Sequence, residues 1–224
     1  MSEAALAPLS IAGGWRLAVH DSLPSTSDLC RALARDGEPD GLAVLARRQT
    51  AGRGSNGRCW VSPAGNMYLS ALLRPPGPAR EAGQWSLLAG IALAEAAAAL
   101  LPADAPLALK WPNDLLLGGA KLAGILIDSS AAQGGLDWLV IGIGVNLASA
   151  PSLADRATTC LADHTLAPTP ESMAAAVLAR LAHWRAVHDA EGFAPIRAAW
   201  TAWGARLPGF AGLSDSGALL TVGA

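Results

Sequence analysis

Residues Leu115 to Asp128 read LLLGGAKLAGILID, and this stretch decides the fold class. Two apolar runs flank Gly118-Gly119-Ala120, the composition of an antiparallel hairpin closed by a glycine turn. A doubly wound parallel sheet has no place for a hairpin at its centre, because parallel neighbours need a crossover between them. Downstream, Leu136 to Leu147 (LDWLVIGIGVNL) reads as a further strand. Upstream, Leu42 to Ala46 (LAVLA) and Met67 to Leu73 (MYLSALL) are short apolar runs that read as buried strands, the second stopped by Pro75-Pro76. Helices interleave with these. DLCRALARD after Ser25-Thr26 looks helical, and Ser86 to Leu101 (SLLAGIALAEAAAALL) reads as a buried helix. Thr169 caps and Pro170 opens an amphipathic helix whose apolar residues run from Met173 through Val177, Leu181 and Trp184. A last helix is expected over Phe193 to Trp203. The chain is therefore expected to be α+β, a mixed sheet flanked by helices.

Composition narrows the function classes. The 224 residues are 52% hydrophobic and 15% charged, which excludes intrinsic disorder. A net charge of −2 carries no global signature of nucleic-acid binding, so anion recognition has to be local. Met1 to Ile11 lacks the basic and apolar regions of a signal peptide and is expected to be a loose tail. The 16 residues of the most apolar segment fall short of the roughly 20 needed to span a bilayer. Three scattered cysteines, Cys30, Cys59 and Cys160, form neither a disulfide framework nor a CxxC site, as expected of a cytoplasmic protein.

Local charge is concentrated in RRQTAGRGSNGRCW. Arg47, Arg48, Arg53 and Arg58 are four of 16 Lys and Arg residues, packed into twelve positions without an acid. Gly52, Gly54 and Gly57 formally satisfy GxGxxG, but Trp60-Val61-Ser62-Pro63 follows instead of a helix, and no acid stands at positions 70–80 for a ribose. Nor is there the Gly-Lys-Ser/Thr of a Walker A loop. Free glycine amides among arginines suit a polyanion, although a solvated basic loop has the same composition. Lys110-Trp111-Pro112-Asn113-Asp114 and Lys121, at strand edges and turns, form a second cluster. Asn113 and Asp114 fit either a turn after Pro112 or a ligand contact.

These residues carry a resemblance. QTAGRGSNGRCW resembles the biotin-binding loop of biotin protein ligases, KWPNDLLLGGAKLAGILID their lysine hairpin, GIGVNL the following strand and PSTSD an early substrate segment. The four pieces occur in the family's order from about Leu17 to Leu147, with weaker similarity in EGFAPIRAAW. The resemblance implies a fold like that of class II aminoacyl-tRNA synthetases. It implies a catalytic domain over 1–203 and a short remnant of a C-terminal β domain over 204–224.

It also implies a reaction in two halves. Biotin is activated by ATP to biotinyl-5′-AMP, then passed to a lysine of a biotin carboxyl carrier protein, as in an acetyl-CoA carboxylase. By motif position Arg53 and Lys110 are the catalytic pair, lying against the biotin carboxylate and α-phosphate, where fixed cations matter most. Ser25, Thr26, Ser27, Gln49, Gly54, Ser55 and Gly124 join them around biotin. Ser25 also has the alternative reading of a helix N-cap, a role that can coexist with ligand contact. Arg58, Trp60, Asn113, Lys121 and Asn146 are assigned to the nucleotide, with Mg²⁺ entering on ATP and no metal ligands fixed. Glycines 52, 54 and 57 allow the loop to close over ligand, so ligand is expected to order residues 51–60.

Ser55 and Ser27 depart from the family, which often has arginine and usually asparagine there. A missing guanidinium removes a charge-assisted contact worth about 1.5–3 kcal/mol, so the adenylate is expected to be held less tightly. Arg58 or Arg48 are the candidates to compensate. Cys59 is expected to be a small apolar neighbour of Trp60 rather than a thioester nucleophile. Fewer than 25 residues precede PSTSD, so no DNA binding is expected. Oligomeric state is left between monomer and homodimer. The competing functions are a lipoate-type ligase and a non-catalytic biotin- or nucleotide-binding module.

Overall fold

The computed structural model describes residues 9–220. The first eight residues of the expected N-terminal tail, and the last four of the chain, lie outside that range. In chain order the elements are β1 (Leu9–Ser10), β2 (Arg16–His20), α1 (Thr26–Arg35), β3 (Leu42–Ala46), β4 (Met67–Leu73), α2 (Gln84–Ala98), β5 (Leu107–Lys110), β6 (Asp114–Leu117), β7 (Ala120–Ala132), β8 (Gly135–Val145), α3 (Pro170–Glu191) and α4 (Phe193–Gly204). The strands form one sheet in the order β1-β2-β3-β4-β8-β7-β6-β5. Only β2 and β3 pair in parallel, and α1 makes the crossover between them. All other pairs are antiparallel, with the β6–β7 hairpin where the glycine turn placed it. The mixed, helix-flanked α+β architecture is as expected.

Strand alternation divides the molecule into two layers. Met67, Leu69, Ala71 and Leu73 of β4, Ala123 and Ile125 of β7, and Leu139, Ile141, Ile143 and Val145 of β8 all join one core with α2, α3 and α4. In α2, twelve of fifteen residues are buried, the pattern of a helix enclosed on all sides. No helix among the described residues is long and apolar enough to cross a membrane. The opposite face is only partly covered. There α1 lays Cys30 and Ala34 on Leu42, Val44, Leu72, Trp138 and Val140, and leaves the stretch of sheet beyond its N-terminus open.

Local signals hold the helix ends. Thr169 caps α3 by accepting from Ser172 N, with Pro170 in the first turn, and Ser25 caps α1 by accepting from Asp28 N at 3.3 Å. Beyond α4, Leu213 and Leu219 form an antiparallel bridge. Gly217 O accepts from Trp111 Nε1 at 3.1 Å, tying this C-terminal strip to the residue after Lys110.

Candidate functional site

The open face of the sheet would normally carry a side chain at every second residue. Here the positions are Tyr68 and Ser70 on β4, Gly142 and Gly144 on β8, and Gly124 on β7. Their registers align, Ser70 with Gly142, Tyr68 with Gly144, and Gly124 with Gly144. Three glycines on adjoining strands strip the sheet to its backbone and make the floor of a cavity of about 330 Å³. A Cβ on Gly144 would lie 2.6 Å from Trp60 Cε2, and one on Gly142 would lie 2.6 Å from Ser27 Oγ. Side chains are thus excluded at both positions by what rests on them.

One end of the cavity is the first turn of α1. Ser25, Thr26 and Ser27 are 2–6% exposed. Gln49 Oε1 accepts from Thr26 N at 2.8 Å and from Thr26 Oγ1 at 3.2 Å, and Gln49 Nε2 donates to Ser62 Oγ at 3.1 Å. Ser70 Oγ donates to Thr26 Oγ1 at 2.8 Å and lies 3.0 Å from Ser27 Oγ. This is a compact set of oriented hydroxyls and an amide against an apolar wall, the composition of a small-ligand site. Ser25 is both cap and pocket residue. Burial pushes the Tyr68 phenol up to about 12, so it enters the floor as a neutral hydroxyl, donating to Pro63 O at 2.7 Å.

The arginine loop lies along the side. Trp60 N donates to Gly52 O and Gly54 N to Arg58 O, which closes residues 52–60 into a tight hairpin with Ser55–Gly57 at its tip. Two positive φ values, at Asn56 and Gly57, make that tip. Trp60 is laid by this hairpin across the glycine floor. Its indole Nε1 is buried and has no acceptor among the described residues, leaving a donor free for a ligand. Arg53 lines the cavity, but its guanidinium is engaged. Nη1 binds Asp28 at 3.1 Å and Asp128 at 3.0 Å, and Arg31 reaches the same two carboxylates at 3.2 and 4.0 Å. An incoming anion has to exchange with these acids, which were not singled out in the sequence.

At the far end, Lys121 Nζ sits 2.5 Å from Asp114 and 5.4 Å from the Trp60 ring. There a second cavity, of about 500 Å³, opens beside the first. Ser55, Arg58, Asn113 and Lys121 line both. Lys110 belongs to the second cavity alone. It is exposed at the end of β5, so the lysine that shares a pocket with Arg53 is Lys121. Asn113 Nδ2 donates to Ile125 O at 2.7 Å and so fastens the start of β6 to β7.

Of the fourteen residues singled out from the sequence, twelve line the first cavity; Lys110 and Asn146 do not. Asn146 is 2% exposed, and its amide donates to Thr159 O at 3.1 Å, holding the loop after β8 against β7. Sequence reasoning missed Asp28, Asp128, Tyr68, Gly142, Gly144 and Arg156. The alternating GIG of β8 was the one signal available for the floor; the acids and Arg156 reach the site only through the fold. Among the described residues, no three His, Cys, Asp or Glu side chains gather as a metal cage.

The chain is similar to known proteins in both sequence and fold. Residues 19–146 match the model of the biotin/lipoate A/B protein ligase family. The chain is 42% identical over 200 residues to the biotin--[acetyl-CoA-carboxylase] ligase of Paracoccus denitrificans, covering 80% of this chain and 83% of that protein. It is 39% identical over 142 residues to the bifunctional ligase/repressor BirA of Bacillus subtilis, covering 62% of this chain and 42% of that longer protein. Among solved structures, biotin protein ligase from Aquifex aeolicus in complex with biotin and ATP is similar with a TM-score of 0.74 at 26% identity, over 90% of this chain and 89% of that one.

Proposed function

The chain belongs to the biotin/lipoate A/B protein ligase family, and from that membership we propose that it activates biotin with ATP and transfers the biotinyl group to a lysine of a biotin carboxyl carrier protein. The observation that carries the reading is the junction of two unlike cavities. One is apolar and glycine-floored with a hydroxyl and amide cluster at its end; the other is lined by lysines and arginines. A cyclic urea with an apolar tail suits the first, and a triphosphate suits the second.

In the first half-reaction a biotin carboxylate oxygen attacks the α-phosphorus, the bond to the bridging oxygen breaks, and pyrophosphate leaves with that electron pair. Two anions must meet, so the residues at the junction act by electrostatics and positioning. Ser25, Thr26, Ser27 and Gln49 orient the urea, with Gly54, Ser55 and Gly124 bounding the ring and tail. Lys121, Arg53 and Arg58 face the carboxylate and phosphates, and Trp60 closes over them. Asp28 and Asp128 hold Arg53 in reach until the ligand's charge replaces theirs. Lys110 approaches the phosphates from the second cavity, where Asn113 anchors the strand that carries the site. In the second half-reaction the carrier's neutral lysine amine attacks the acyl carbon, AMP departs, and the amine gives up a proton.

Mg²⁺ neutralises phosphate charge when ATP is bound. The carboxylates that line the second cavity, Asp114 and Asp155, are each paired with a cation, which fits an ion held chiefly by phosphates and water. The strip after α4 holds Trp111 beside Lys110, through the hydrogen bond from Trp111 Nε1 to Gly217 O. Three free thiols suit a cytoplasmic setting.

A lipoate-type ligase or a bare binding module is not favoured, since the curated relatives and the solved complex are named for biotin ligation. The test is to incubate the chain with biotin, Mg-ATP and a carrier domain and to follow the carrier by mass spectrometry. One biotinyl addition on one lysine, absent with lipoate, is expected; an unmodified carrier alongside normal biotin binding would favour the binding module.

A further inference from the structure

Ser55, at the junction of the two cavities, brings no charge there. Arg48 does not compensate, since it is exposed and lines neither cavity. Arg58 is present, but its Nε and Nη2 donate to Ser55 O and Oγ at 3.2 and 3.0 Å, at the tip of its own hairpin. A different cation stands at the junction. Arg156, from the loop after β8, lines both cavities together with its neighbour Asp155.

The position of Arg156 is built, although it lies in a loop. Lys121 N donates to Ala157 O at 2.9 Å and Thr159 N donates to Lys121 O at 3.1 Å, so the backbone on the C-terminal side of Arg156 is laid in parallel beside the start of β7. Asn146 pins Thr159 O from behind. Arg156 is thus tied by main chain to Lys121, whose ammonium faces the same space. Its carboxylate partner is Asp155, whose side chain is 62% exposed. An exposed pair between chain neighbours holds its cation weakly and yields it readily to a polyanion. The second cavity presents Arg58, Lys110, Lys121 and Arg156 against Asp114 and Asp155, a surplus of cations at the end remote from the glycine floor.

We propose that Arg156, from the loop after β8, is a binding residue for the β- and γ-phosphates of ATP and for the pyrophosphate product. A guanidinium fork takes two phosphate oxygens at once, whereas a lysine there would supply charge without the fork. The assignment rests on the ligase reading above.

The experiment is biotin-dependent ATP–pyrophosphate exchange with wild type, Arg156→Ala and Arg156→Lys, with biotin affinity measured separately by calorimetry in the absence of nucleotide. Arg156→Ala is expected to raise the KM for ATP and for pyrophosphate about tenfold or more with kcat changed less than threefold, and Arg156→Lys to recover part of it. Biotin affinity and Tm stay unchanged. KM values within twofold of wild type would overturn the proposal. So would a loss confined to carrier modification, which would make Arg156 a carrier contact, or a parallel loss of biotin affinity and Tm, which would make it structural. If wild type shows no exchange, the ligase reading falls. Titration of wild type and Arg156→Ala with a non-hydrolysable ATP analogue then decides the Arg156 assignment alone, equal affinities counting against it.

Discussion

Glycines 124, 142 and 144 work by what they omit. A Cβ on Gly142 would meet Ser27 Oγ, and one on Gly144 would meet the Trp60 ring, each at 2.6 Å. Gly144→Ala therefore has to lift Trp60 from the floor, and Gly142→Ala has to break the Thr26–Ser27–Ser70 hydroxyl cluster. Both variants are expected to fold and to lose biotin affinity by about tenfold or more, equivalent to ~1.4 kcal/mol, in a calorimetric titration; wild-type affinity in either would mean that the ligand does not lie on this floor. A second residue-scale prediction concerns pH. Cys30, fully buried on the sheet-facing side of α1, has its thiol pushed up from 9.0 to about 12, chiefly by desolvation. Between those values the unfolded chain has lost a proton that the folded chain keeps. Stability is therefore intact below pH 9 and falls above it, by about 1.4 kcal/mol per pH unit from this group. Denaturant titrations at pH 8 and 10 are expected to show the decline, and Cys30→Ala to show a smaller one.

At the scale of elements, legibility followed length and local composition. β3 and β4 were readable with their observed bounds because each is a continuous buried run between turn residues. β2 and β5 were not read as strands. They are five and four residues long, β2 has one buried position, and both take their identity from the neighbours they pair with. The arginine hairpin was legible as a loop through its glycines, but not its fastening, since Arg53 meets Asp28 and Asp128 from elements 25 and 75 residues away. Those exposed or half-exposed ion pairs stabilise the empty hairpin only weakly. Amide exchange in residues 51–60 is therefore expected to be fast in the free protein and to slow on addition of biotin and ATP; protection that ligand leaves unchanged would rule out closure. For α3, Thr169→Ala removes the cap and is expected to cost about 1 kcal/mol of stability without changing biotin affinity.

The whole molecule divides its labour between the two faces of one sheet. The face under α2, α3 and α4 holds the large core, in which Trp200 is 1% exposed. Trp200→Ala is expected to cost about 3–5 kcal/mol and to lower Tm while leaving the KM for biotin in the remaining folded protein unchanged. The other face trades apolar cover for a site. Its cations were legible because they cluster in two short motifs, whereas the floor, the acids and Arg156 converge only once strands distant in sequence are aligned. Of the two lysines, Lys121 lines both cavities and Lys110 the second alone. The central claim, that this junction adenylates biotin, is tested most directly by biotin-dependent ATP–pyrophosphate exchange in wild type, Lys121→Ala and Lys110→Ala. Exchange with biotin and not lipoate, reduced at least a hundredfold in Lys121→Ala and less in Lys110→Ala, is the predicted result. Exchange that survives intact in Lys121→Ala, or that wild type lacks while still binding biotin, would contradict it.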